Sequence, residues 1–283
     1  MTAVPRKTQN PEYHKMRRPT LPLTACLLLA ACATSPLGRS QLKLFSDDDM
    51  AQMGVAAFAQ TAKQTPVDTG GQANAFVDCV ARNVTQTVAQ SAGYQANWEV
   101  KVFRSDEVNA FALPGGKIGV YTGIFKVVRN QDQLAAVLAH EVSHVVAGHG
   151  NERVSEQYAT QSVVGIVGAI AGDSAGGGDL AQAALGLGAQ YGILLPFSRA
   201  QESEADLLGL DFMSKAGFDP RQAVLLWQNM AQLGGKPPEL LSDHPSDETR
   251  IQQIQARLPQ DLPLFEQARA AGRKPQCGTV PPA

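Results

Sequence analysis

This sequence has no excess of one charge, no apolar run long enough to cross a bilayer, no internal repeat and few cysteines, and each lack removes a class of protein. Its 24 Lys and Arg against 26 Asp and Glu leave a net charge of −2. That argues against a chain built to coat nucleic acid or an anionic membrane. The apolar runs at 21–31 and 162–171 fall well short of the ~20 residues of a transmembrane helix, and Gly165, Gly168 and Gly172 interrupt the second. No segment recurs at a fixed period, so no appended repeat domain is expected. The chain has 283 residues, enough for a domain with a substantial core.

The four cysteines divide by position. From Met16 the sequence reads as a secretory signal: basic Met16-Arg17-Arg18, the apolar run 21–31, then small residues. Met16 is the expected start, and 1–31 the expected leader. Leu29-Ala30-Ala31-Cys32 resembles the bacterial lipobox, in which cleavage precedes the cysteine and that cysteine is acylated. The alternative is an ordinary cleaved signal with an incidental cysteine. Ala33, where an Asp would mark retention in the inner membrane, points to the outer membrane. Cys26 lies in the leader, which leaves Cys79 and Cys277 for a single possible disulfide in an oxidising compartment, or for two free thiols. Without the leader's five bases and one acid, 19 bases face 25 acids, so the remaining chain is mildly acidic.

Residues 32–46 read as a polar, lipid-anchored tether, 47–272 as one domain and 273–283 as a tail. Helical spacing of apolar residues predicts helices over 47–63 and 72–90. Alternation predicts strands over 98–103 and 109–113, and Pro114-Gly115-Gly116 breaks the second before 117–121 resumes it as a hairpin or small sheet. An amphipathic helix is predicted over 131–149. The glycines at 172–178 read as a linker or a lid hinge, followed by helix to about 195. Further helices are predicted over 198–215, 220–233 and 246–257.

The chemistry concentrates in His140-Glu141-Val142-Ser143-His144. Residues four apart on a helix sit one turn apart on one face, so both imidazoles reach one metal, with Glu141 beside them as general base for a water. Five residues alone are a weak signal. Here Leu134, Val137, Leu138, Val142, Val145 and Val146 bury the helix, and Glu141 is the only charge between Asp132 and Glu152. A third ligand must come from another helix, leaving one coordination position open. Ser198-Arg199-Ala200-Gln201-Glu202-Ser203-Glu204-Ala205-Asp206 supplies it: Glu202 as ligand, Asp206 on the same face as an acceptor for an imidazole N–H, small Ala205 between them. Glu204 is the alternative ligand. His149, about 140° round the helix from His144, reads as a helix-end residue outside the metal's reach.

His-Glu-x-x-His followed by Glu-x-x-Ala-Asp resembles the zinc metallopeptidase family of the CAAX prenyl proteases and HtpX, in its periplasmic BepA/LoiP-like lipoprotein branch. The resemblance runs from about residue 47 to 257. It includes Asn109-Ala110-Phe111-Ala112-Leu113-Pro114-Gly115-Gly116, Ser198-Arg199, and Ser242-Asp243-His244-Pro245 with Arg250. It implies a mainly helical α+β, zincin-like (gluzincin) domain with a small sheet or hairpin, one Zn2+ per chain and endopeptidase activity. It also implies that His244 and Arg250 line the cleft as catalytic residues. Either could stabilise an oxyanion, or His244 could take the open metal position and hold the enzyme latent. The strand edge Asn109, Ala110, Phe111, Ala112 could pair with an extended peptide, or serve only as a structural hairpin. The implied substrates are unfolded or misassembled envelope proteins at the periplasmic face of the outer membrane, reached by an anchor on Cys32, with no nucleic-acid partner. The other reading is a chaperone-like assembly factor for outer-membrane proteins with latent protease activity.

Overall fold

The computed structural model of the chain describes residues 32–170, 197–232, 240 and 248–282. It opens on two short antiparallel strands, β1 (Cys32–Thr34) and β2 (Ser40–Leu42), with Ala33 opposite Gln41. Helices α1 (Asp47–Gln64) and α2 (Gly71–Ala92) follow. Ser46 caps α1 reciprocally with Asp49, and the three acids of its first turn suit the positive end of the helix.

The sheet comprises β3 (Glu99–Phe103), β4 (Ala110–Leu113) and β5 (Lys117–Tyr121), in the order β3-β5-β4. β4 and β5 form the expected hairpin, Phe111 opposite Gly119, while β3 runs parallel to β5 on its far side. β4 is therefore an edge strand. A short 3-10 turn, Thr122–Lys126, leads into α3 (Gln131–Val146) and α4 (His149–Ile170). Then come α5 (Arg199–Lys215), α6 (Arg221–Ala231) and α7 (Glu248–Ala270).

The main core joins α2, the sheet, α3, α5 and α6 through Phe76, Val84, Val120, Leu134, Leu138, Met213 and Met230. A smaller cluster of Met50, Met53, Phe58, Phe103 and Leu113 seats α1 on the sheet. α3 lies at the centre, packed against α2, α5, α6 and β4. A helix enclosed on so many sides holds its side chains in fixed rotamers, as a metal site requires. The architecture is the α+β, mainly helical one expected, and among the described residues no helix is long and apolar enough to cross a membrane.

The helix predicted over 131–149 breaks at Gly148, whose φ of +70° only glycine adopts readily; α3 ends at Val146 and α4 starts at His149 in a new direction. The stretch 32–46 is no free tether. The Gln41 amide donates to the Ala147 carbonyl (2.8 Å), the Leu44 N–H donates to the Ser155 hydroxyl (2.8 Å), and the Asn151 amide donates to the Phe45 carbonyl (2.7 Å). A polar composition read as solvated is satisfied instead by buried protein groups. At the other end, α7 runs on to Ala270 through Pro259 and Pro263, and the tail packs Cys277 and Val280 against the core. The packed body thus extends beyond 47–272 on both sides. The leader 1–31, the glycine-rich 172–178, the helix predicted to about 195 and Ser242–Pro245 with His244 lie outside the described residues.

Cys79 on α2 and Cys277 in the tail are disulfide-bonded across 198 positions of sequence. A bridge closing so long a loop restricts the unfolded chain strongly. Replacing both cysteines by alanine is expected to lower the unfolding free energy by about 2–4 kcal/mol. Denaturant midpoints of the double variant and of the reduced wild type should agree.

Candidate metal centre

α3 presents His140 and His144 on one face, and α5 crosses it so that Glu202 meets them. The two Nε2 atoms are 3.1 Å apart, His140 Nε2 lies 3.4 Å from Glu202 Oε2, and His144 Nε2 lies 3.5 Å from Glu202 Oε1. A tetrahedral zinc with ligands at ~2.0–2.1 Å has edges of roughly 3.3–3.4 Å, so these separations and this donor set fit such an ion. Among the described residues these three form the group of His, Cys, Asp or Glu side chains able to share a metal. The crossing is close because Gly209 faces His140: a Cβ there would lie 3.0 Å from the His140 backbone nitrogen. Glu141, 3 % exposed, lines an apolar pocket with His140, Met213, Leu226, Trp227 and Met230.

Each histidine is oriented from behind. His140 Nδ1 lies 3.0 Å from Asp206 Oδ1, a placement that would leave Nε2 for a metal. Burial opposes a charged His140 ring, but hydrogen bonds and negative charge from Asp206 and Glu202 outweigh it and raise its pKa to about 10. The carboxylates that draw a proton to this ring equally draw a divalent cation. Arg250 differs from its expected place at the oxyanion. Its Nε and Nη2 donate to the two Asp206 oxygens, each at 2.7 Å, its Nη1 lies 2.7 Å from Glu202 Oε2, and its plane stacks over Trp227. A guanidinium engaged on both carboxylates positions the ligands rather than pointing at a substrate carbonyl.

His144 is held by residues whose contacts spacing did not foresee. His149 is fully buried, its Nδ1 2.9 Å from His144 Nδ1 and its Nε2 3.2 Å from Glu204 Oε2. It stands at a helix end and outside the metal group, as expected, being the first residue of α4; what spacing did not give is that, one residue past the turn at Gly148, its ring is buried against His144. Glu204, the alternative ligand, faces away from the metal face but is buried. Burial raises the Glu204 pKa, yet hydrogen bonds from His149, Ser35 and the Leu37 N–H outweigh it and bring it to about 2. Burial lowers the His149 pKa in spite of Glu204. The Phe197 ring, which no sequence pattern singles out, stacks on His144 with centroids 3.7 Å apart, and the Arg153 guanidinium sits 3.6 Å from its centroid.

Of the remaining candidates, Asn109 and the β4 residues Ala110, Phe111 and Ala112 lie along the sheet edge, and β4 packs against α3. A groove runs from Ala112, Pro114 and Gly115 to His144, Val145 and Phe197. Cys32 is the first residue of β1.

Two imidazoles one turn apart, a glutamate from a second helix and a buried carboxylate beside them form a group able to hold a metal, in the layout of the gluzincin class. The chain belongs to Peptidase family M48, whose family model matches residues 71–258. It is similar to the mitochondrial metalloendopeptidase OMA1 of Schizosaccharomyces pombe, 40% identical over 191 residues, which are 64% of this chain and 52% of that protein. The OMA1 metalloendopeptidase of Danio rerio is 33% identical over 246 residues, 81% of this chain and 51% of the relative. The beta-barrel assembly-enhancing protease of Yersinia pestis is 29% identical over 253 residues, 85% of this chain and 50% of the relative. The chain thus spans about half the length of these relatives.

Proposed function

We propose that this domain is a zinc-dependent endopeptidase that cleaves unfolded or misassembled proteins of a bacterial envelope. The observation that carries the chemistry is the convergence of His140 Nε2, His144 Nε2 and the two oxygens of the Glu202 carboxylate, at separations of 3.1 to 3.5 Å, near the ligand–ligand spacing of a tetrahedral zinc site. Bound there, the ion supplies a Lewis acid that polarises a peptide carbonyl and acidifies water. Glu141 accepts the water's proton on its carboxylate and passes it to the leaving amine nitrogen. The β4 edge offers main-chain groups to an extended peptide, a mode of binding tolerant of side chains and so suited to unfolded substrates. Asp206 and His149 hold the ligand imidazoles, and Phe197 covers the face of one of them.

The envelope setting rests on the leader: a basic start at Met16, an apolar run to Ala31 and a cysteine placed for acylation at 32. The relatives are named for mitochondria as well as for β-barrel assembly, and the leader favours the second setting for this chain. Glu202→Ala tests the site. The variant is expected to retain its fold by circular dichroism, to purify with little metal and to show no cleavage of casein or of an unfolded porin. Full metal content with unaltered cleavage would remove the assignment.

A further inference from the structure

The hairpin formed by β1 and β2 does more than fill a groove, because its turn reaches the far side of the metal ligands. The Leu37 N–H donates to Glu204 Oε1 at 3.1 Å and Arg39 Nε donates to Glu204 Oε2 at 3.2 Å. The other end of the same guanidinium engages Glu152, Nη1 on Oε1 and Nη2 on Oε2. Glu152 in turn accepts from the Gln201 amide at 2.8 Å, one residue before the ligand Glu202. Arg39 therefore ties together α4, through Glu152, and α5, through Glu204, the two helices that flank the metal-bearing α3.

The line continues inward. Glu204 Oε2 meets His149 Nε2, and His149 Nδ1 meets His144 Nδ1. A carboxylate can only accept, so His149 donates from Nε2 and its Nδ1 is left as acceptor. His144 must then donate from Nδ1, which turns its Nε2 lone pair toward the metal. This arrangement extends the direct carboxylate–imidazole contact of Asp206 and His140 by one further ring and one further chain segment.

We propose that Arg39, with the Leu37 backbone N–H, is a positioning element for the metal: by fixing Glu204 it sets the tautomer and the orientation of His149 and thereby of His144. A residue outside the matched span 71–258 thus governs how tightly the metal is held. The proposal rests on His144 being a ligand, as the proposed function states.

The test uses the full chain, purified with zinc or reconstituted with Co2+, as wild type, Arg39→Ala, Arg39→Lys, Glu204→Gln and Glu202→Ala. The metal dissociation constant is measured by competition with a chromogenic chelator, and the ligand field from the visible absorption of the Co2+ form. Arg39→Ala and Glu204→Gln are expected to weaken metal binding about 10–100-fold and to shift the Co2+ bands, with Arg39→Lys recovering part of the loss. If both variants bind with the wild-type constant and spectrum and lose only thermal stability, the hairpin is a structural brace and the proposal is overturned. Should Arg39→Ala fail to fold, Glu204→Gln, which keeps the shape of the side chain, decides between the same two outcomes. Glu202→Ala is the separate control: tight binding with a wild-type spectrum in that variant would refute the ligand set itself.

Discussion

Glu141→Gln is expected to keep the metal bound and to lower kcat by about 10²–10⁴-fold, the range associated with loss of a positioned general base. The amide fills the same buried volume beside His140 but cannot take a proton, so substrate affinity should change little. Metal analysis and cleavage of an unfolded porin give the two readouts. Unchanged turnover would exclude proteolysis by this site. Abolished turnover with intact rescue of envelope assembly would instead favour the chaperone-like reading, in which the domain binds outer-membrane proteins and seldom cuts them.

Arg250→Met should produce the largest loss of stability. The guanidinium is almost without solvent and spans Glu202 and Asp206, both of them buried. Removing one partner of such a cluster leaves buried charge uncompensated, a change of about 3–5 kcal/mol. The loss should be greatest in excess chelator and smaller with metal present, since a divalent cation on Glu202 takes over part of the neutralisation. Denaturant unfolding with and without EDTA measures both. Arg250→Lys should rescue only in part, because an ammonium cannot make paired bonds to Asp206 and reach Glu202 as well. Equal stability loss in both conditions would mean that Arg250 acts by its stacking on Trp227 and not on the ligands.

Several parts of the site were legible because they depend on local periodicity. His140 and His144 share a face whenever residues 131–146 are helical, and the apolar stripe made that helix certain to be buried. Glu202 and Asp206 followed from the same geometry on α5, whose start is marked by Ser198 and Gln201 capping each other. His149 was placed correctly at a helix end and off the metal, but its contact with His144 was missed for the converse reason. Projecting it round a continuous helix assumes that the backbone keeps its direction, and Gly148 ends that assumption one residue earlier. Glu204 was correctly turned away from the metal, yet what it would face there depends on Arg39 and His149, one from 165 residues upstream and one from another helix.

The polar N-terminal stretch shows the limit of composition as a guide. Ser35 and Gln41 are as well buried as core residues: the Gln41 amide donates to the Ala147 carbonyl at the corner between α3 and α4, and the Ser35 hydroxyl accepts from the Arg39 N–H and bonds Glu204 on α5. Arg250 was recognisable as belonging to the site but not what it does there: a guanidinium can face a substrate or the protein's own carboxylates, and the packing of α7 beside α5 sets it on Glu202 and Asp206.

Sequence alone determined the type of chemistry and its principal residues, since helical spacing and the chemistry of imidazole and carboxylate donors act over a few residues. It also placed most of the elements, from the capped helices to the β4–β5 hairpin, but not β1, β2 or α4. The tertiary structure decided the strand order, the role of Arg250 and the line from Arg39 to His144. Those depend on which surfaces of distant segments meet, and a contact between residues far apart in the chain leaves no periodic trace in it.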